Sequence, residues 1–223
     1  MRRQFDFIIT GTPFCGYAAT AKALNDIGIG CSVEKSINDW WATMDIDPKK
    51  EIEGDCSWFA APYLDFFKDS TIILHQTVNP SRFIEEAERS RLFNNWETDY
   101  LYSHKTDFSA NKFIKYQGRE WNWPQNTRER IELFYTKWNL LIEEKAQGKK
   151  YMRYRVEDFG EELLERICWF LGTSFSVKNV GRFIKSSSLD ISKALETNQE
   201  LKNICFRYDY LPFSDKSLPF NTA

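Results

Sequence analysis

Phe5-Asp6-Phe7-Ile8-Ile9-Thr10-Gly11-Thr12-Pro13-Phe14-Cys15-Gly16-Tyr17-Ala18-Ala19-Thr20 is the stretch that decides the fold. An apolar run feeds a turn bounded by Gly11 and Gly16, and the chain leaves that turn into a helical pattern, so the order is strand, tight loop, helix. Two glycines five residues apart let the backbone curl into a concavity whose N–H groups point inward. The helix that follows adds its positive end, and the turn suits an anion such as phosphate or sulfate. The spacing is that of a P-loop. Yet Tyr17 and Ala18 stand where the nucleoside-triphosphatase form of the loop carries Lys and then Ser or Thr, which argues against an ordinary ATPase or kinase.

Outward from this turn the chain alternates. The helix beginning at Gly16 runs to about Ile27 and is ended by Gly28 and Gly30, and a short strand follows near Cys31–Val33. The apolar segment Ser57–Phe67 is expected to be a helix leading into Ser70–Gln76, whose β-branched and apolar residues predict a buried parallel strand. Pro80 opens a further helix through Ala87, Thr127 starts a long amphipathic helix to about Lys145, Tyr151–Tyr154 is a strand, and Glu161–Leu171 is a helix closed by Gly172. Strands alternating with helices predict an α/β fold, a three-layer sandwich around a central parallel sheet. The stretch 100–126, rich in Lys, Asn, Trp and Tyr without clear periodicity, is expected to be a lid or acceptor-side excursion.

The chain of 223 residues suits one domain, 1–223, with a full core. Its formal charge of −2 gives no global pull toward nucleic acid or anionic membrane. Neither a signal peptide nor a spanning stretch is visible, so a nucleic-acid or membrane partner is not expected. Five cysteines, an odd number without paired short spacing, fit reduced thiols and a cytoplasmic location. With two histidines and no ligand-spaced cysteines, no metal site is expected.

Four blocks, taken in order, resemble the sulfotransferases that use phosphoadenosine phosphosulfate (PAPS), and the chain looks like a divergent bacterial- or phage-type member. Ile9–Leu24 looks like the loop that holds the donor's phosphosulfate. Asp55-Cys56-Ser57-Trp58-Phe59-Ala60-Ala61-Pro62-Tyr63-Leu64 is similar to a block of bacterial members. Ile72–Pro80 falls at the strand and turn that hold the donor's second phosphate. Trp138–Glu143, Tyr154–Phe159 and Trp169–Gly172 look like the family's closing elements. The resemblance implies a P-loop-like fold in which PAPS is co-substrate and a small-molecule or glycan hydroxyl or amine attacks sulfur in line, by analogy with phosphoryl transfer. It implies donor contacts from Gly11, Thr12, Pro13, Phe14, Cys15, Gly16, Tyr17 and Ala18, and from Asn79 and Arg82 after the second strand.

Departures accompany these matches. The family's basic residue after the loop proline is Phe14 here, its arginine after the second strand is Val78, and its later serine is Glu86. Losing a group that neutralises a leaving phosphate costs a few kcal/mol of transition-state stabilisation. Two readings follow: a sulfotransferase with cations rebuilt from Arg82, Arg119, Arg155 or Arg182, or a fold that has lost donor binding and serves as a binding or scaffold protein. For the general base the candidates are His75, at the carboxyl end of the second buried strand, and Asp55; the alternatives are a core histidine and, for Asp55 and Ser57, capping residues. His104 is expected to be exposed. Glu157 and Asp158 are expected to cap the last large helix. Trp40, Trp41, Trp121 and Trp123 are candidates for stacking on adenine or acceptor, and Cys15, beside a helix N-terminus, for a reactive thiolate.

Overall fold

The structure is a computed structural model and describes residues 5–34, 53–91, 124–173 and 192–210. Among them five strands form one sheet: β1 (Phe7–Gly11), β2 (Gly30–Val33), β3 (Glu53–Cys56), β4 (Ile72–Thr77) and β5 (Tyr151–Arg155). The order is β2-β3-β1-β4-β5 and every pairing is parallel. Helices α1 (Tyr17–Asp26), α2 (Pro80–Arg89), α3 (Thr127–Lys145), α4 (Glu161–Leu171), α5 (Ser192–Thr197) and α6 (Gln199–Arg207) flank it. The expected α/β architecture with a central parallel sheet is what the chain adopts.

β1 is buried at all five positions, as befits a central parallel strand covered on both faces. α1 ends where expected, with Ile27 as C-cap and Gly28 at φ 93°, while Gly30 belongs to β2 instead of ending the helix. Asn79 caps α2 by accepting from the Ser81 N–H at 2.9 Å, with Pro80 in the first turn. Asn126 caps α3 through the N–H groups of Arg128 and Glu129. Gly172, at φ 79°, closes α4.

Two expectations are corrected. Trp58–Phe66 is a 3-10 helix, not an α-helix, and Pro62 inside it has no N–H for a regular ladder. Glu53–Cys56 is a strand, unmarked in the sequence because two of its four residues are acidic and one is glycine. Its pairing with β1 explains Gly54, where a Cβ would meet the Phe7 ring at 2.3 Å. Asp55 therefore lies in the sheet. Ser57 precedes the 3-10 helix without a side-chain cap bond, so neither residue caps a helix.

Parallel pairing brings the carboxyl ends of all five strands to one edge, where ligands of open α/β sheets bind. α3 props that edge from beneath. Trp138 Nε1 donates to the Gly11 carbonyl at 2.9 Å, and the Tyr135 hydroxyl donates to the Val78 carbonyl at 2.7 Å. One helix thus holds both the turn after β1 and the turn after β4. An aromatic row runs below them, Trp58 on Trp138 at 5.3 Å, Trp138 on Phe134 at 4.9 Å, Phe134 on Phe83 at 6.1 Å.

Candidate anion site at the carboxyl edge

The turn from Gly11 to Gly16 is held by its own side chains. Gly16, at φ 81°, and Phe14, at φ 65°, are left-handed, which curls the backbone as the glycine spacing predicts for Gly16. Gly11 has a packing reason: a Cβ there would sit 2.0 Å from the Gln76 carbonyl oxygen. The Tyr17 hydroxyl donates to the Thr12 carbonyl at 3.0 Å, and the Thr12 hydroxyl lies 3.3 Å from Cys15 Sγ. Ala19 and Thr20 donate to the Gly16 carbonyl. Tyr17 and Ala18 precede the first helical bond, so their N–H groups point beyond the helix, and Ala18 is exposed.

Gln76 ties this turn to the sheet. Fully buried on β4, its amide donates to the Cys15 carbonyl, and its Oε1 accepts from the Thr20 hydroxyl at 2.9 Å and the Tyr154 hydroxyl at 2.6 Å. A polar side chain in the His75-Gln76-Thr77 end of a buried strand is the only trace of this role in the sequence.

Several candidate residues take different places from those expected. Cys15 is buried and its thiol is pushed up to about 12 by desolvation, so it fills space beneath the turn and is not a reactive thiolate. Phe14 is half-buried and packs on Phe83 at 6.2 Å, turning its ring into α2. Val78 is buried. The Asn79 side-chain oxygen is spent on the α2 cap. Arg82 is half-buried on α2. Glu86 pairs with Arg89 on the same helix. Arg155 is engaged by Asp158 at 2.7 Å and by the Asp209 carbonyl. Arg119, Arg182, His104, Trp40, Trp41, Trp121, Trp123 and nearly all of the 100–126 excursion lie outside the described residues.

His75 sits inside β4 with no exposed surface. Asn139 donates from its amide to the Tyr135 carbonyl at 2.7 Å, which turns its Oδ1 toward His75 Nε2 at 2.8 Å. Nε2 therefore carries the proton and donates, and Nδ1 accepts from the Tyr151 hydroxyl at 2.7 Å. Burial lowers its pKa to about 3. With both nitrogens bonded inside the core, the core-histidine alternative describes its geometry.

At the other end of the edge is a carboxyl group that the sequence did not single out. Glu34 follows β2 at φ 58°, a left-handed conformation unusual for glutamate. Ser57 Oγ donates to its Oε2 at 2.9 Å, and its backbone N–H donates to the Cys56 carbonyl. Burial, followed by the charge of nearby Asp55, raises its pKa to about 7 despite the hydrogen bond from Ser57. Asp55 itself is fully buried and accepts from Ser32 Oγ at 2.5 Å. Glu34 also lies near enough to Tyr17 to help raise that phenol, which links the group to the start of α1.

Glu157, after β5, bridges to the turn after β4. Its Oε1 accepts from the Asn79 N–H at 2.7 Å and its Oε2 from the Tyr210 hydroxyl at 3.2 Å. Tyr210 also shares a hydrogen bond with Thr77 Oγ1 at 3.0 Å. Neither Glu157 nor Asp158 caps α4, whose N-cap is Gly160. A polar cleft of about 520 Å³ opens beside them, lined among others by Arg153, Arg155, Glu157, Arg166 and Tyr208.

The first turn thus leaves the Tyr17 and Ala18 N–H groups outside the helical ladder, while the Asn79 N–H of the second turn is already taken by the Glu157 carboxylate. Among the described residues no group of His, Cys, Asp and Glu would hold a metal ion, and no helix is long and apolar enough to cross a membrane. No protein-family model and no curated protein sequence matches the chain. Its fold is similar to that of the crystal structure of a sulfotransferase from Alicyclobacillus acidocaldarius, with a TM-score of 0.52 and 14% identity over 92% of this chain and 97% of that one. That likeness establishes a sulfotransferase-like fold.

Proposed function

We propose that the chain transfers a sulfuryl group from a nucleotide phosphosulfate, of the kind PAPS represents, to a hydroxyl or amine of a small-molecule or glycan acceptor. The observation that carries this reading is the sulfotransferase-like fold together with the half-buried Glu34 carboxyl, held by Ser57 Oγ at 2.9 Å at the same sheet edge as the α1 N-terminus, which burial pushes up to about 7. The backbone of the Gly11–Gly16 turn and the first N–H groups of α1 bind the phosphosulfate. Glu34 takes the acceptor's proton as the acceptor oxygen or nitrogen bonds to sulfur, and the bond from sulfur to the bridging oxygen breaks with its electrons leaving on the nucleotide phosphate. Glu34 replaces His75 and Asp55 as the base in this proposal, because His75 has both nitrogens bonded in the core and Asp55 is turned onto Ser32.

Ala18→Asp tests the donor site. Ala18 is exposed in the first turn of α1, where a carboxylate favours the helix dipole by about 0.3–1 kcal/mol while repelling a bound anion. Thermal unfolding is followed with PAPS and with adenosine 5′-phosphosulfate, inorganic sulfate serving as control. At about a hundredfold its dissociation constant a nucleotide donor adds about 2.7 kcal/mol, and the variant, folded as stably as the parent, loses that gain. An unchanged gain in the variant would place binding elsewhere.

A second reading, a sulfotransferase-like fold serving as a binding or scaffold protein, is favoured by Phe14, whose ring packs on Phe83 at the position of the family's basic residue. Its signature is the absence of any nucleotide-dependent gain in the parent protein.

A further inference from the structure

We infer that Cys31 and Cys56 are a peroxide-sensitive dithiol, a modification site at which oxidation by a hydroperoxide joins β2 to β3 through a disulfide. The inference does not depend on the donor reading.

All five cysteines are free and buried, and Cys31 and Cys56 bring their sulfurs to 3.4 Å. The sheet puts them there. In the parallel register Cys31 lies opposite Gly54 and Val33 opposite Cys56, so the two-residue alternation sets both thiols on one face of adjacent strands. Gly54 has no side chain to part them. Asn25, on α1, fixes the Cys31 main chain from both sides, donating from Nδ2 to its carbonyl at 2.6 Å and accepting from its N–H at 3.3 Å. Cys56 is held by the pairing of β3 with both β1 and β2. Sulfurs in a disulfide are about 2.0 Å apart, so the pair closes by about 1.4 Å, within reach of side-chain rotation. Holding two reacting groups in contact makes their joining a unimolecular step.

The two thiols differ in access. Cys56 has no exposed surface, and burial raises its thiol well above the ordinary 9.0. Cys31 keeps 8% of its surface open on the edge strand, beside Val33 at 39%. Cys31 is therefore the sulfur that a small hydroperoxide reaches first. Its sulfur bonds to one oxygen of hydrogen peroxide as the O–O bond breaks, which gives a sulfenic acid and one water. The Cys56 sulfur then bonds to the Cys31 sulfur, the S–OH bond breaks, and the hydroxyl leaves with the Cys56 hydrogen as a second water. Two thiols are oxidised by two electrons in all, and one peroxide is reduced.

The bond ties a four-residue edge strand to its neighbour. It closes the chain across 25 positions and so removes freedom from the unfolded state. Glu34 follows β2 and Ser57 follows β3, so the staple lies beside the contact that they make.

Peptide mapping by mass spectrometry tests this on the intact chain, reduced, treated with hydrogen peroxide while folded, and then labelled with N-ethylmaleimide in denaturant. A parallel sample is oxidised in urea. The expected result in the folded chain is one cross-linked pair, Cys31 with Cys56, with Cys15, Cys168 and Cys205 carrying the label, whereas the unfolded chain gives mixed pairings. The urea midpoint rises on oxidation and returns with dithiothreitol, and Cys31→Ser and Cys56→Ser each abolish the cross-link and the rise. Label on both Cys31 and Cys56 after peroxide, a sulfinic acid at Cys31 in place of the cross-link, or pairing through Cys15, Cys168 or Cys205 in the folded chain would overturn the inference. So would a cross-linked form whose urea midpoint has not risen. The mapping is read on the parent chain, so a serine variant that fails to fold leaves the test decisive.

Discussion

In the proposed reaction a single carboxyl group, Glu34, carries the proton transfer, and its environment rather than its identity suits it to that role. An exposed glutamate is ionised far below neutral pH and is a weak base. Burial and the neighbouring Asp55 carry this one to about 7, where base strength and availability balance. Under the proposed reaction, transfer rises with pH through about 7 as Glu34 loses its proton, and Glu34→Gln lowers the rate by about 10²–10⁴ and removes the rise. A pH–rate series on both proteins checks this; an undiminished rise in the variant would assign the base elsewhere. Gln76 is the structural counterpart. Gln76→Leu leaves the Thr20 and Tyr154 hydroxyls and the Cys15 carbonyl without their partner in a buried setting, and the expected loss is about 2–4 kcal/mol in urea denaturation. A loss under about 0.5 kcal/mol would show that Gln76 does not hold the turn.

Among the elements, α2 shows how a helix N-terminus is closed from inside. Asn79 caps it with its side chain and gives its own N–H to Glu157, so this one residue joins α2 to the segment after β5. Asn79→Ala keeps the Glu157 contact, which uses the main chain, but loses the cap; destabilisation of about 1 kcal/mol is expected from the urea midpoint. α3 works differently, through two donors to carbonyls of the β1 and β4 turns. Its boundaries, Thr127 to Lys145, are legible in the sequence because apolar spacing is a local property. That Trp138 and Tyr135 reach Gly11 and Val78 is not legible, since those contacts join residues 127 and 57 positions apart.

Over the whole molecule, two titrating groups, the buried His75 and the half-buried Glu34, oppose one another. His75 titrates near 3 when folded against an ordinary 6.5, so the stability its neutral form contributes is full above 6.5 and is lost as pH falls toward 3. Glu34 titrates near 7 against an ordinary 4.5, so its contribution is full below 4.5 and is lost as pH rises through 7. Between 4.5 and 6.5 the two slopes cancel. Removing one exposes the other: Glu34→Gln should lose stability on acidification across that window by about 1.4 kcal/mol per pH unit more than the parent. Parallel urea-midpoint curves for parent and variant would contradict the environment described for Glu34.

The sequence by itself determined the strand-loop-helix start, four of the five strands, the glycine stops after α1 and α4 and the parallel α/β class, because each rests on neighbours a few residues apart or on apolar runs. It also marked Phe14, Val78 and Glu86 as departures from the family it resembles. Only the tertiary structure decided which groups meet. Glu34 and Ser57 are joined across 23 positions, Asn79 and Glu157 across 78, and the Cys31 and Cys56 thiols, scattered in the chain, lie 3.4 Å apart on adjacent strands. The physical reason is that hydrogen-bond satisfaction and desolvation are properties of an assembled edge. A histidine becomes a core residue, and a glutamate's pKa rises, only when the sheet has brought its partners and excluded its water.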